Sequence, residues 1–296
     1  MFMLYLDGFN EWVPNIHRWH MSHGTRVAPK PVWLSSFNST PDARFRLLCF
    51  PYAGGDGVTI FRKWPEMLPK TVEVCIVQLP GRGTRIAEQP FSDIRSAAEV
   101  LSVNLRPYLN KPFAFFGHSL GAKICFEVAR LLKTAYGLEP FHLCVSGSSA
   151  PRIPNTDPLT YDLPDPQFLE ELQKLNGTPP EVLSNAELMK LMLPVLRAEF
   201  EANQTYVYVN GPPLGCPITA FGGLQDEITQ DELQAWREET THAYSLHMIP
   251  GDHFFINTQP ATILQLLSAH LIESFSNHPI IPKMAAEKTQ QPHTRL

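Results

Sequence analysis

The stretch that decides the fold is FAFFGHSLGAKICFEVARLL, residues 113–132. It opens with a continuous apolar run over 113–117, which is typical of a strand covered on both faces. From residue 120 to 135 the apolar residues recur at helical spacing, as on an amphipathic helix. The chain therefore runs from a buried strand through a tight turn into a helix.

The turn itself reads GHSLG, residues 117–121, and fits the pattern G-x-S-x-G. Such a turn holds the serine in a strained conformation, with its hydroxyl exposed at the end of the sheet. Small residues at Gly117 and Gly121 let the strand and the helix pass closely. The helix N-terminus places partial positive charge near the hydroxyl. We predict that Ser119 is a nucleophile rather than a structural turn residue.

Short apolar runs alternate with helical patterns on both sides of this stretch. The predicted strands are residues 44–50, 72–79, 113–117, 142–148, 217–223 and 244–251. This alternation predicts an α/β domain with a mostly parallel central sheet flanked by helices. It breaks at about 151–212, where a Pro-rich segment leads into helical patterns. We interpret that segment as a helical lid inserted into the domain.

The two ends of the chain differ from the part between them. Residues 1–43 are rich in Trp, His and Pro, lack sustained periodicity, and are predicted to be an extension without a core of its own. Residues 277–296 turn polar and are predicted to be a disordered tail. The predicted α/β domain therefore spans 44–276.

Composition excludes several classes of function. A net charge of −5 argues against a protein that neutralises nucleic-acid phosphates or coats an anionic membrane. No run reaches the ~18 apolar residues that a membrane-spanning helix needs. The five cysteines form no C-x-x-C pair, and each lies in an apolar run. We expect the cysteines to be small buried side chains rather than a disulfide framework or a zinc site. Free cysteines are typical of a reducing compartment, so we expect the protein in the cytoplasm.

A serine hydroxyl needs a base to become a nucleophile. Among the eleven histidines, His253 is the best placed, because it follows the last predicted strand and precedes the final helical pattern. His118 lies inside the turn and cannot reach its neighbour's hydroxyl in the required geometry. His142, His242 and His247 are interpreted as core or solvated histidines.

The base in turn needs an acid that holds its tautomer and stabilises the imidazolium. Asp226 follows the predicted strand 217–223 and precedes His253 by 27 residues, enough for one helix and one strand. Glu227 is adjacent and is the main competitor. Asp252, next to the base, is interpreted as solvated or structural. We predict Asp226 as the acid.

An oxyanion hole is the third requirement. One donor is predicted to be the backbone N–H of Leu120, directly after the nucleophile. The other is expected from the Gly-rich loop 50–57 after the first core strand, where Tyr52 and Ala53 are both candidates. That loop lacks the G-K-[ST] and G-x-G-x-x-G patterns of phosphate-binding turns.

Five motifs resemble, in order and spacing, the type II thioesterases, which are stand-alone α/β-hydrolases associated with nonribosomal peptide and polyketide synthases. They are FPYAGG (50–55), LPGRGTR (79–85), GHSLG (117–121), GGLQDE (222–227) and GDHFF (251–255). The resemblance covers about 44–275. It implies an α/β-hydrolase fold with a helical lid, Ser119 as nucleophile, Asp226 as acid and His253 as base. It also implies acyl or peptidyl carrier protein domains as partners, whose phosphopantetheine arm carries the substrate.

We therefore expect a monomeric serine thioesterase with no metal or redox cofactor, acting in editing or product release. A carboxylester hydrolase or an acyltransferase could use the same three residues. A non-catalytic carrier-binding module is a third alternative, against which the intact Ser, His and Asp set argues. Arg82 and Arg85 could pair with a carrier's phosphate or acidic helix, or they could be ordinary surface arginines or form structural ion pairs, and neither is assigned to the site. The apolar stripe over 188–200 is interpreted mostly as lid core.

Overall fold

The structure is a computed structural model that describes residues 32–36, 42–177 and 180–278. Its strands are β1 (Leu34–Ser36), β2 (Phe45–Phe50), β3 (Val72–Val77), β4 (Phe113–His118), β5 (Leu143–Ser146), β6 (Ile218–Gly223) and β7 (Tyr244–Ile249). In the described part of the chain they form one sheet in the order β1-β3-β2-β4-β5-β6-β7. Among these described strands, β1 alone pairs antiparallel. The predicted mostly parallel sheet is confirmed.

Helices cover both faces of this sheet. They are α1 (Gly57–Phe61), α2 (Trp64–Met67), α3 (Ile94–Leu105), α4 (Leu120–Tyr136), α5 (Asp165–Lys174), α6 (Pro180–Leu183), α7 (Ala186–Gln204), α8 (Gln230–Gln234), α9 (Phe255–Thr258) and α10 (Pro260–Asn277). Strand β2 shows the alternation, because Leu48 and Phe50 pack with the side of α3 and α4. Phe45 and Leu47 point to the opposite face, towards α2 and α10. The result is a three-layer α/β/α domain.

The edge strand β1 lies inside the segment that the sequence assigns to an extension. Leu34 pairs with Val77 of β3, and the guanidinium of Arg85 stacks 3.7 Å from the centre of the Trp33 ring. The sheet therefore begins at Leu34, ten residues before the predicted start of the domain at 44. The predictions for residues 1–31, 37–41 and 279–296 lie outside the described residues.

The helical insertion between β5 and β6 has an apolar cluster of its own. Its buried members are Phe168, Leu172, Met189 and Leu196, with partly buried neighbours that include Met192, Leu193 and Phe200. Most of the predicted apolar stripe is therefore lid core, although Leu191 is exposed. We define the lid as helices α5, α6 and α7.

In the lid, the sequence pattern predicts Asp165 as the N-cap of the first helix and Ser184, with Glu187 three residues on, as a capping box for the next. Both helix starts are displaced by one residue. Pro164, and not Asp165, is the N-cap of α5, and the Asp165 carboxylate accepts a hydrogen bond from Arg197. Asn185, and not Ser184, caps α7 by accepting from the Leu188 amide. The Ser184 hydroxyl instead donates to the carbonyl at the preceding helical turn. Both serine and asparagine suit an N-cap, so the local pattern did not separate them.

All five cysteines are buried and free, as predicted from their apolar surroundings. Burial raises the pKa of the Cys49, Cys125 and Cys144 thiols, which keeps them protonated. Within the described residues, no helix combines the length and the apolar character needed to cross a bilayer.

Candidate active site

Ser119 occupies the turn between β4 and α4 with φ 54° and ψ −120°, a conformation that L residues rarely adopt. Its amide donates to the Ser146 carbonyl at 2.7 Å, which fixes the turn to β5. A Cβ at Gly117 would lie 2.3 Å from the Gly121 carbonyl oxygen. A Cβ at Gly121 would lie 2.3 Å from the Phe50 carbonyl oxygen. The strand, the turn and the helix therefore need both glycines to pass this closely.

Two loops at the same edge of the sheet carry the other predicted residues. Asp226 follows β6 and His253 follows β7, because β5, β6 and β7 are parallel and end together. The Gln225 amide donates to the Gly251 carbonyl at 3.0 Å, and the Gly251 amide donates back to the Gln225 side chain at 2.6 Å. These two hydrogen bonds tie the loops together and set the distance between the acid and the base.

The three predicted side chains form one hydrogen-bonded line. His253 Nε2 lies 3.0 Å from Ser119 Oγ, and His253 Nδ1 lies 3.0 and 3.2 Å from the two Asp226 oxygens. A carboxylate can only accept, so Nδ1 carries the proton and Nε2 is free to accept from the serine hydroxyl. Asp226 is 3% exposed and His253 is 20% exposed at the side chain, so the acid is shielded while the base remains accessible.

The competing acids lie elsewhere. Glu227 is exposed, and the carboxylate that lies against His253 Nδ1 is that of Asp226. Asp252 accepts from the Phe254 amide at 2.9 Å, which makes it a loop-stabilising residue. The structure therefore separates Asp226 from both neighbours that the sequence left in competition.

His118 supports the base from beneath. Its Nε2 donates to the His253 carbonyl oxygen at 3.0 Å, and its Nδ1 accepts from the Ser146 hydroxyl at 2.9 Å. Burial and the neighbouring His253 hold the pKa of His118 well below its usual range, so the ring is neutral and can fill both roles. Sequence reasoning correctly kept His118 from the Ser119 hydroxyl but missed this contact, because the carbonyl comes from a loop 135 residues away.

The predicted oxyanion donors come from two segments, the start of α4 and the loop after β2. Leu120 is the first residue of α4 and follows Ser119 directly. The loop after β2 carries Tyr52, whose ring packs edge-on against His118 and Phe254. In the part of the chain that the structure describes, the amides of Leu120 and Ala53 donate to no protein acceptor. Both are available to a ligand.

A buried ion pair lies behind this loop. Arg82 and Glu199 are in direct contact at 5% and 3% exposure, and burial lowers the pKa of Arg82 to about 10. Arg82 also donates to the Tyr52 carbonyl at 3.1 Å and to the Gly55 carbonyl, while Glu199 accepts from the Gly54 amide at 2.7 Å. Of the roles that the sequence left open for Arg82, the structure therefore shows the internal ion pair.

Arg85 is also turned inward, donating to the Gln78 carbonyl at 2.7 Å and pairing with Glu88. Glu199 itself went unnoticed in the sequence. A signal was present, since it falls at helical spacing between Leu196 and Ala202 on the buried face of α7. Burying an unpaired carboxylate is costly, so a glutamate on an apolar stripe predicts a buried cation as its partner.

Residues 45–271 match the family described as thioesterase domain. The chain belongs to the thioesterase family. This thioesterase is 45% identical over 248 residues to the gramicidin S biosynthesis protein GrsT of Aneurinibacillus migulanus, which covers 83% of this chain and 96% of GrsT. It is 37% identical over 243 residues to thioesterase PikA5 of Streptomyces venezuelae, covering 81% of this chain and 86% of PikA5.

The same likeness holds in three dimensions. The structure of BorB, a type II thioesterase from the borrelidin biosynthetic cluster, superposes on this thioesterase with a TM-score of 0.75 at 36% identity. The match covers 83% of this chain and 100% of BorB. The fold is therefore the α/β-hydrolase fold with a helical lid, and the protein is a thioester hydrolase of that type.

Proposed function

We propose that this thioesterase removes acyl groups from the phosphopantetheine arm of carrier protein domains in a nonribosomal peptide or polyketide synthase. The observation that carries the proposal is the hydrogen-bonded line from Ser119 through His253 to Asp226. GrsT is a gramicidin S biosynthesis protein and BorB comes from the borrelidin biosynthetic cluster, which supports the choice of carrier-bound substrates.

The first half of the reaction forms an acyl-enzyme. Ser119 Oγ attacks the thioester carbonyl carbon while His253 Nε2 takes the hydroxyl proton. The negative charge that develops on the carbonyl oxygen is stabilised by the Leu120 amide and by an amide of Tyr52 or Ala53. The C–S bond then breaks, and the pantetheine sulfur leaves as a thiol with the proton returned by His253. Asp226 holds the Nδ1–H tautomer and stabilises the imidazolium throughout.

The second half releases the acyl group. A water molecule gives its proton to His253 Nε2 as its oxygen attacks the acyl carbon, and the collapse of this second intermediate restores the Ser119 hydroxyl. The free carboxylic acid leaves. Every step uses side chains and backbone amides of the chain, so we propose no metal or redox cofactor.

The alternatives use the same site and are not favoured by the relatives. An ester hydrolase or an acyltransferase would share Ser119, His253 and Asp226, but the family match is to thioesterases. A non-catalytic binding module would not need the three side chains in one hydrogen-bonded line. A monomeric state, a cytoplasmic location and the choice between editing and release stay predictions.

The proposal is tested by mass spectrometry of a carrier protein loaded with an acyl group. Wild-type enzyme is expected to return the holo carrier with a free thiol, whereas Ser119→Ala is expected to leave the acyl mass in place. A fluorophosphonate should label the wild type at Ser119 and not the variant. Equal clearance by both proteins would remove Ser119 from the mechanism. An unlabelled wild type would favour the binding module.

A further inference from the structure

The loop after β2 is held from behind by two charged side chains that belong to different parts of the chain. Arg82 comes from the turn after β3, and Glu199 comes from lid helix α7. Their side chains touch, and each reaches the backbone of the loop at a different peptide group. The pair is therefore both an ion pair and a clamp on the residues between 52 and 55.

The two peptide groups that the clamp holds are the ones on either side of Ala53. Arg82 Nη1 donates to the Tyr52 carbonyl oxygen at 3.1 Å, and this carbonyl shares a planar trans peptide with the Ala53 N–H. In a trans peptide the C=O and N–H point in opposite directions. Holding the Tyr52 oxygen on the Arg82 side therefore aims the Ala53 N–H away from Arg82. The cation also polarises this peptide, which makes the N–H a stronger donor.

The following peptide is fixed in the same way by the other partner. The Gly54 amide donates to Glu199 Oε2 at 2.7 Å, and Gly54 has a φ of +73° that suits glycine. The side chain of Leu196, one turn before Glu199 on α7, lies where a Cβ on Gly54 would fall, at 2.4 Å. With both neighbouring peptides held, the orientation of the Ala53 N–H has little freedom left.

We propose that Arg82 and Glu199 are positioning residues that aim the Ala53 N–H as the second oxyanion donor, so that the seating of lid helix α7 controls the oxyanion hole. The proposal rests on the proposed function, since it assigns the second of its two donors. It selects Ala53 over Tyr52, because Arg82 holds the peptide whose N–H belongs to Ala53.

Glu199→Gln is the sharpest single change. In the native protein both carboxylate oxygens face donors, one on Arg82 and one on the Gly54 amide. A glutamine must present its NH₂ to one of those donors, so one arm of the clamp opens while the volume is kept. The double change Arg82→Met with Glu199→Met removes both charges together, which buried pairs tolerate better than the loss of one partner.

The matched control is Glu239→Gln. Glu239 is also a buried carboxylate, 1% exposed, which accepts from Arg152 at 2.8 Å and from the Tyr208 hydroxyl at 2.8 Å. It has no contact with the loop after β2 among the described residues. Glu239→Gln therefore measures how much stability is lost with a buried charge when the loop after β2 is not affected.

The experiment measures hydrolysis of an acyl-N-acetylcysteamine thioester, with each variant normalised to its fluorophosphonate-titrated active sites. Removing one oxyanion donor lowers kcat by about 10²–10³, so a misaimed donor is expected to lower kcat by about 10- to 100-fold with KM changed less than about threefold. The affinity for an acyl trifluoromethyl ketone, whose adduct carries an oxyanion, should fall in parallel. Glu239→Gln should lower the thermal midpoint and leave both readouts unchanged.

Wild-type kcat per titrated site in Glu199→Gln or in the double variant would overturn the inference, as would an equal loss in Glu239→Gln. A wild-type enzyme that neither hydrolyses the thioester nor takes the fluorophosphonate would instead overturn the proposed function, which keeps the two failures distinct. A variant that folds, titrates and loses kcat together with ketone affinity supports the clamp.

Discussion

The sheet edge that carries Ser119 and the lid that covers it are stabilised in different ways. The edge is fixed by backbone contacts, such as the Ser119 amide on the Ser146 carbonyl and Gly121 against the Phe50 carbonyl. The lid relies on a small apolar cluster around Phe168 and on side-chain contacts to the domain, including Glu199 with Arg82. The hydrogen-bonded line from Ser119 therefore depends on the sheet, whereas the proposed clamp on the loop after β2 depends on a region with an apolar cluster of its own.

The largest effect should come from breaking the line at the sheet edge. Asp226→Asn keeps the shape but presents an amide that favours the wrong tautomer of His253, so we expect kcat to fall by about 10⁴. Glu227→Gln, one residue further along the same loop, is the matched control and should stay close to wild type because Glu227 is exposed. Both variants should share the wild-type thermal midpoint to within a few degrees, measured beside the thioester assay.

This pair of variants also tests the choice between the two acids. A large loss in Glu227→Gln with little loss in Asp226→Asn would contradict the assignment. It would mean that the loop rearranges when substrate binds.

The site residues at the sheet edge could be predicted from the sequence, because the turns that hold them depend on local sequence. The pattern GHSLG between a strand and a helix leaves few conformations, and parallel strands bring the loops that follow them to one edge. Ser119 and His253 could therefore be selected from chain order and strand ends alone, and the acid could be placed in the loop after β6, with Asp226 preferred and Glu227 as its competitor. The choice of Asp226 over Glu227 needed coordinates, since the two residues are adjacent and chemically alike.

The remaining features depend on contacts between distant segments. Strand β1 has only three residues and its pairing with β3 is non-local, so no periodicity marks it. The contact between Arg82 and Glu199 joins residues 117 positions apart. The support that His118 gives to the His253 carbonyl involves a backbone atom, which any residue type would supply. Pattern and propensity carry no information about such partners.

Truncating one phenylalanine in each region tests whether the lid and the sheet differ in stability. Phe168→Ala removes the fully buried centre of the lid cluster, and we expect the free energy of unfolding to fall by about 3–5 kcal/mol. Because the cluster is separate from the sheet core, hydrogen exchange should speed up in α5 and α7 and stay slow in β4 and β5. Phe116→Ala, an equal truncation in the buried sheet core, should instead speed up exchange throughout the sheet.

The activity of the Phe168→Ala variant tests the same difference between lid and sheet independently. Phe168→Ala should lower kcat as the lid helix that carries Glu199 loosens, while fluorophosphonate still labels Ser119. Uniform loss of protection across lid and sheet in Phe168→Ala would contradict the view that the lid has separate stability.

The smallest expected effect is a pH dependence of stability caused by a buried histidine. It is confined to the sheet and its helices, because residues 151–212 contain no histidine. His142 is 1% exposed, with hydrogen bonds to Thr219 at 2.9 Å and Ser274 at 2.7 Å, and its ring lies 6.0 Å from that of His270. Burial lowers the pKa of His142 to about 3, from an ordinary value near 6.5. Its neutral form therefore stabilises the fold above pH ~6.5, and that contribution is lost as the pH falls towards 3.

Within that window the unfolded chain holds one proton more than the native protein at this site. The free energy of unfolding should therefore rise with pH, by up to about 1.4 kcal/mol per pH unit from this one residue. Urea unfolding at several pH values between 6 and 4 should give a shallower slope for His142→Gln than for wild type. His242→Gln, a substitution at an exposed position, should keep the wild-type slope. Identical slopes for all three proteins would mean that His142 gains its proton without unfolding, and that the sheet core is looser there than its burial indicates.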